Sequence, residues 1–187
     1  MKKLLTFLAV VTLCLAMGGI ARANLVVNGG FETGDLTGWT FIAATSGSNF
    51  YVGPPAYQGS YAAQFGARES GYYDIIEQYV PTVPGATYTF SFYLNQRGTS
   101  TPNEFSAFWG VPAILHLLNV GSFGYTLYSF SEVAPGSTTF IGFAGQDVSS
   151  YFGLDNVSVD PIPLPPTLLL LGSGLAGLLG LGRIRKQ

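Results

Sequence analysis

From Thr87 to Asn95 the chain alternates without a break: Tyr88, Phe90, Phe92 and Leu94 fall on one side, Thr89, Ser91, Tyr93 and Asn95 on the other. Strand side chains alternate with period two, so this stretch predicts a half-buried β-strand with an aromatic inner face. Stretches of similar character lie at 25–27, 61–65, 75–80, 105–109, 114–118, 125–130, 139–144 and 154–159. The run 114–118 is also compatible with a short helical turn. Gly29-Gly30, Gly53-Pro54-Pro55, Pro84-Gly85, Gly98 with Pro102-Asn103, Gly121 and Pro135-Gly136 separate them as turn signals. No helical periodicity is sustained outside the two ends of the chain. Many short strands so spaced predict an all-β, antiparallel sandwich over residues 24–160.

The ends have a different logic. Lys2 and Lys3 precede an apolar stretch, and Ala21-Arg22-Ala23 closes it. A positive start, an apolar middle and an Ala-x-Ala-like site predict a signal peptide over residues 1–23, cut by signal peptidase before Asn24. The single cysteine, Cys14, lies inside it behind Leu13, where a lipoprotein would want a small residue. The mature domain therefore holds no disulfide and must rely on its core, a structural ion, or both. Two cations, Arg68 and Arg97, stand there against all ten carboxylates, a formal charge of −8. Such a surface repels phosphate backbones, which disfavours nucleic-acid binding, and tolerates cations and neutral glycans.

At the other end, residues 161–187 run from prolines through an uncharged apolar stretch to Arg183, Arg185 and Lys186. Residues 167–181 span roughly 22 Å as a helix, short of the bilayer's hydrocarbon thickness of about 30 Å. Snorkelling arginines extend the reach, so a transmembrane helix over 167–182 is expected in the inner membrane. Its basic end is then cytoplasmic, as the positive-inside rule prefers. Gly172, Ala176 and Gly180 share one helical face, which suits close helix packing and equally the ordinary composition of membrane helices.

This tripartite tail resembles the PEP-CTERM sorting signal of Gram-negative bacteria, most clearly in Leu170-Leu171-Gly172-Ser173-Gly174-Leu175-Ala176-Gly177-Leu178. Pro163, Leu164, Pro165 and Pro166 hold the place of the sorting motif, with Leu164 where the name-giving motif has glutamate. The resemblance implies recognition by an exosortase, a membrane protease-transpeptidase, and passage from a membrane-anchored intermediate to the cell surface or extracellular matrix. Leu164-Pro165-Pro166-Thr167 also resembles a Gram-positive sortase signal, but Leu168 replaces the glycine of that scissile bond. The exosortase reading is preferred; an uncut tail anchor is the remaining alternative.

The opening Asn24-Leu25-Val26-Val27-Asn28-Gly29-Gly30-Phe31-Glu32-Thr33-Gly34-Asp35-Leu36-Thr37-Gly38-Trp39 and the closing 152–159 resemble galactose-binding-like jelly rolls, the fold of many carbohydrate-binding modules. Segments 101–110 and 123–130 resemble exported domains that precede PEP-CTERM tails. The resemblance implies a jelly-roll β-sandwich and a structural calcium joining first and last strands. Glu32 and Asp155 would be its carboxylates, with carbonyls of 28–30 and 58–60 assisting; oxygen ligands suit calcium. Asp155 shares strand parity with Val157 and Val159, so it is expected to point to their buried side, where a carboxylate needs hydrogen bonds or a metal. The alternative is that it bonds backbone amides.

Catalytic signatures are missing. His116 is the only histidine, without cysteines for a zinc site or a local carboxylate to orient it as a base. No Gly-x-Ser-x-Gly, His-Glu-x-x-His or phosphate-binding glycine loop occurs. Glu69, Asp74 and Glu77 read as a solvated charged loop rather than a glycosidase pair. Trp39 reads as core. Tyr72 and Tyr73, in a glycine- and charge-flanked loop, are the sugar-stacking candidates. The leading expectation is a non-enzymatic surface or matrix protein; the alternative is a carbohydrate-binding module recognising exopolysaccharide.

Overall fold

The structure, a computed structural model, describes residues 24–163. Ten strands follow in chain order: β1 (Thr40–Ile42), β2 (Tyr51–Gly53), β3 (Ala62–Phe65), β4 (Asp74–Pro81), β5 (Thr87–Gln96), β6 (Asn103–Trp109), β7 (Ala113–Leu118), β8 (Phe123–Val133), β9 (Thr138–Asp147) and β10 (Phe152–Pro161). They form two five-stranded antiparallel sheets, ordered β1-β4-β9-β6-β7 and β2-β3-β10-β5-β8. The alternation of 87–95 places Phe90, Phe92 and Leu94 between the sheets, fully buried. Residues 114–118 are strand and not helix, paired along β6 from Glu104↔Leu118 to Ala107↔Leu115.

The core is a phenylalanine lattice. Phe143 on β9 meets Phe92 edge-on at 5.0 Å and 82°, and lies within about 6 Å of Phe90, Phe105 and Trp39. Rings from both sheets thus interlock where a domain without cysteines must find its stability, because each buries a large apolar area. Trp39 is buried, stacked on Phe31 and donating its indole N–H to Asn28 O.

Two expectations are corrected. Residues 25–27 are not a strand. Asn28 and Phe31 adopt φ of 53° and 57°, which coils the segment. Its backbone is satisfied irregularly: Leu25 N–H reaches Val159 O, and the Gln78 side chain brackets both polar groups of Val27. The Asn24 side chain accepts from Val159 N–H and donates to Val157 O, so the segment is zipped to β10 without joining a ladder. Gly29 lies so close that a Cβ there would overlap Val157 O.

The parity of β10 is the second correction. Its pairing with β5 shifts between Asp155 and Ser158, and Asn156 has φ of 53°. This β-bulge inserts a residue, so Leu154, Val157 and Val159 all face the core while Asp155 turns to the outer side of the sheet, beside Tyr93. A one-residue slip exchanges the faces of a strand.

Candidate functional site

The outer face of the β1-β4-β9-β6-β7 sheet follows from register. One row across it reads Ile42, Ile75, Ala144, Ser106, His116; the next reads Thr40, Glu77, Gly142, Phe108, Ala113; Tyr79 and Phe140 pair beyond. Phe140 leans over Gly142, where a Cβ would come within 2.7 Å of its ring, and Tyr79 meets it edge-on at 5.6 Å. The floor is therefore mixed: Ile75, Ala144, Gly142 and Phe108 form its apolar part, Glu77 and Ser106 interrupt it, and the aromatic rings of Tyr79 and Phe140 stand at its margin. Flat apolar surface with polar edges suits pyranose rings, whose faces are C–H and whose rims are hydroxyl.

The polar edge is a cluster centred on Glu104. Tyr73 O–H donates to Glu104 Oε2 at 2.7 Å, and His116 Nε2 lies 3.6 Å from Glu104 Oε1. Ser106 Oγ is 3.5 Å from His116 Nδ1, and Gly71 N–H donates to Gln146 Oε1. Glu104 and Gln146 are register partners on β6 and β9. The hydrogen bond to Glu104, with burial and the carboxylate's charge adding, pushes the Tyr73 phenol up to about 12, so it stays a donor through neutral pH. Ser106, His116 and Glu104 thus stand in line at the outer limit of hydrogen-bond distance.

Tyr72 is exposed in the loop before β4, as expected, whereas the Tyr73 hydroxyl is committed to Glu104. His116 has an orienting carboxylate after all, carried by the neighbouring strand. Nothing local signalled it; only the β6–β7 pairing does. Asp74 is no solvated loop residue. It shares the inward parity of Ile76 and Val80, is fully buried, and accepts from Ala44 N–H and Ser48 O–H on Oδ1, while Oδ2 has no partner.

Glu32 and Asp155 are brought together on the other sheet's outer side. Asp155 Oδ2 accepts from Tyr57 N–H at 2.8 Å and Gln58 N–H at 3.0 Å, and Oδ1 from Asn156 N–H at 2.6 Å. Glu32 accepts from Ser60 and Tyr61 N–H. The two carboxylates pin the loop 57–61, and Gly59, at φ of 77°, leaves room for Glu32. Tyr57 closes the arrangement by stacking on Tyr93 at 3.5 Å and 11°. Segment 58–60 thus offers amides, not carbonyls, to the carboxylates.

Whether calcium suits this place can be judged from the donors. Around Gly30 lie Asp155 Oδ1, Asn156 Oδ1 and the Cγ of Glu32, within 3.7–3.9 Å of where a Cβ would be. Burial pushes the Asp155 carboxyl above its ordinary 3.8 against the pull of its three amides, and the charge of Glu32 adds to the rise. Asp155 Oδ1 and Asn156 Oδ1 are oxygen donors of the kind a hard cation takes, while the Glu32 oxygens turn to the amides of Ser60 and Tyr61. Among the described residues no group of three or more His, Cys, Asp or Glu is placed to hold a metal.

Pro163 is exposed at the end of the described chain. Leu164, Pro165, Pro166, the helix expected over 167–182, Arg183, Arg185, Lys186 and the signal peptide over 1–23 lie outside the described residues.

Residues 23–107 match the family model of a carbohydrate binding domain. Among solved structures the chain is similar to TmCBM61, determined in complex with β-1,4-galactotriose, at 17% identity and a TM-score of 0.58, covering 75% of this chain and 100% of that one. It is likewise similar to the C-terminal family 22 carbohydrate binding module of Clostridium thermocellum Xyn10B, at 17% identity and 0.54, covering 75% and 96%. Tailspike protein 4 of bacteriophage CBA120 matches at 15% identity and 0.58 over 74% of this chain, which spans only 21% of that enzyme domain's chain. At such identities the likeness is one of fold. No curated protein matches the chain.

Proposed function

We propose that this chain is a non-catalytic carbohydrate-binding protein, taking an extracellular polysaccharide on the outer face of the β1-β4-β9-β6-β7 sheet. The observation that carries the reading is the pairing of an apolar strip, Ile75, Ala144, Phe140 and Phe108, with the polar edge of Tyr73, Glu104, His116 and Gln146. The carbohydrate binding domain match over 23–107 supports it, since that stretch contains Tyr73 and Glu104. Sugar rings would lie on the strip while Glu104 and His116 meet hydroxyls, with the buried Gln146 holding the Tyr72 loop through Gly71, and Tyr72 would cover the loop side. A binding role needs no nucleophile and no paired acid and base. Affinity electrophoresis through the producing organism's own exopolysaccharide tests it. Retardation of the wild type that disappears in Tyr72→Ala with Tyr73→Ala, both folded by thermal melt, is expected. Equal mobility of the two proteins would refute the assignment.

We further propose that residues 161–187 carry the domain through an inner-membrane intermediate to the cell surface or matrix, as an exosortase substrate released from its signal peptide. The proline motif, the uncharged 167–182 and the terminal Arg183, Arg185 and Lys186 support this. Calcium between Glu32 and Asp155 would tie the opening segment to β10. The intact mass of the mature protein tests the sorting: a processed chain lacks Arg183–Gln187, and a retained tail would leave a plain anchor.

A further inference from the structure

The sandwich has two unlike ends. At one, the β4–β5, β6–β7 and β8–β9 turns meet the point where the chain leaves β10. They are bound into one surface: Thr82 N–H donates to Ser137 O, Gly85 N–H to Ala134 O, Trp109 Nε1–H to Val133 O, and Ile162 N–H to Thr87 O. Residues 82–86, 110–112, 134–137 and 161–163 include no charged side chain. Their tips are aliphatic and in water: Val111 is 87% exposed, Val83 61%, Val133 58% and Ile162 43%. Between them opens a groove of about 480 Å³ lined by Trp109, Val111, Pro112, Ile114, Val133 and Pro135, with Glu132 as its one charged wall. At the opposite end the loops carry Arg68, Glu69 and Arg97, and hydrogen bonds such as Arg97 N–H to Tyr151 O hold them. Tyr73, Glu104 and Gln146 also lie at that end, where β4 and β6 begin and β9 finishes.

An apolar end whose groove has Glu132 as its one charged wall, on a domain of formal charge −8, calls for an apolar occupant. The chain itself indicates which one. Ile162 is tied to this end, and only Pro163, Leu164, Pro165 and Pro166 separate it from the uncharged apolar run 167–181. Four residues of any conformation span at most about 14 Å. With such a run inserted in a bilayer, so short a tether keeps the apolar end nearer the lipid than the charged end.

We infer that this end is a membrane-docking surface. Val83, Val111 and Val133 enter the boundary between headgroups and acyl chains while the tail is inserted, and the Tyr73–Glu104 edge faces away from the membrane. The inference rests on the membrane-anchor reading of the tail. Aliphatic side chains at the interface add affinity in proportion to the apolar area they bury, so the tail and the turns reinforce one another.

The test uses the mature chain from Asn24 to Gln187, which has no cysteine of its own. Val111→Cys, and separately the exposed Ser70→Cys at the opposite end, are labelled with an environment-sensitive fluorophore. Each is reconstituted into vesicles of phosphatidylethanolamine and phosphatidylglycerol, with and without doxyl-labelled lipid, and floated. The expected result is flotation of both, loss of most emission at residue 111 with doxyl lipid, and unchanged emission at residue 70. Flotation without quenching at 111 overturns the docking surface and leaves the anchor standing. A label at 111 shielded from both doxyl lipid and aqueous iodide overturns it too, because protein would then cover the groove. A chain that stays at the bottom of the gradient refutes the anchor, and the docking surface with it.

Discussion

Replacing Asp155 by alanine tests the arrangement that most sharply separates this fold from its sequence pattern. The carboxylate takes three amides, from Tyr57, Gln58 and Asn156, at 2.6–3.0 Å. A buried amide left without an acceptor costs about 1–3 kcal/mol. Tyr57 and Gln58 sit on an exposed loop and recover water by lifting, so their shares fall well below that; Asn156, in the bulge, recovers less. Relief from burying a charge offsets part of the loss, leaving about 2–4 kcal/mol. At roughly 3 °C per kcal/mol for a domain of this size, melting falls by about 6–12 °C. The pH dependence has a definite sign. The folded carboxyl is raised above its ordinary 3.8, so the folded state holds the proton more tightly than the unfolded chain. The proton-linked part of its contribution is therefore fully present below 3.8 and is lost as pH rises through the raised folded value, while the three amide bonds act at every pH. In calorimetry the wild type should gain more than Asp155→Ala on acidification from neutral to about pH 4. A melting change of less than about 1 kcal/mol, typical of a surface substitution, would show that the loop 57–61 does not depend on Asp155.

Further expectations concern the cation, the core and the polar edge. A chelator should lower the melting temperature of wild type and leave Glu32→Gln unmoved; no shift in either removes the proposed calcium. Phe143→Ala should cost about 3–5 kcal/mol, because the ring fills the centre of the lattice. Phe140→Ala, three residues away on the outer face, should cost less by urea denaturation, and equal costs would contradict the β9 register. Tyr73→Phe should remove one phenol that titrates near 12 in ultraviolet absorption, and should weaken glycan retardation several-fold without changing the melting curve by more than about 1 kcal/mol.

Much of the fold was readable because period-two alternation is local. Phe90, Phe92 and Leu94 declare their face through their immediate neighbours, and the turn residues mark where each strand stops. The short edge strands β1 and β2 were not readable, since three residues carry too little pattern. Nor was the coil at 25–27, whose apolar residues suggest a strand but whose backbone is satisfied by the distant side chains of Asn24 and Gln78. Asp155 misled for a related reason. Counting parity assumes an unbroken ladder, and the bulge at Asn156 breaks it through a conformation that residue spacing does not express.

Tyr72 and Tyr73 could be singled out as a surface pair because loop composition is local as well. That Tyr73 is held by Glu104, and that His116 approaches the same carboxylate, depends on which strands lie side by side. What residue order determined by itself was the all-β class, the aromatic inner face, the acidic surface without disulfides and the apolar, cation-ended tail. The tertiary structure alone decided which carboxylates are buried, which polar groups share an edge, and that the charge-free turns gather where the chain departs. Periodicity and charge belong to neighbours in sequence, whereas strand order and register join residues far apart in the chain.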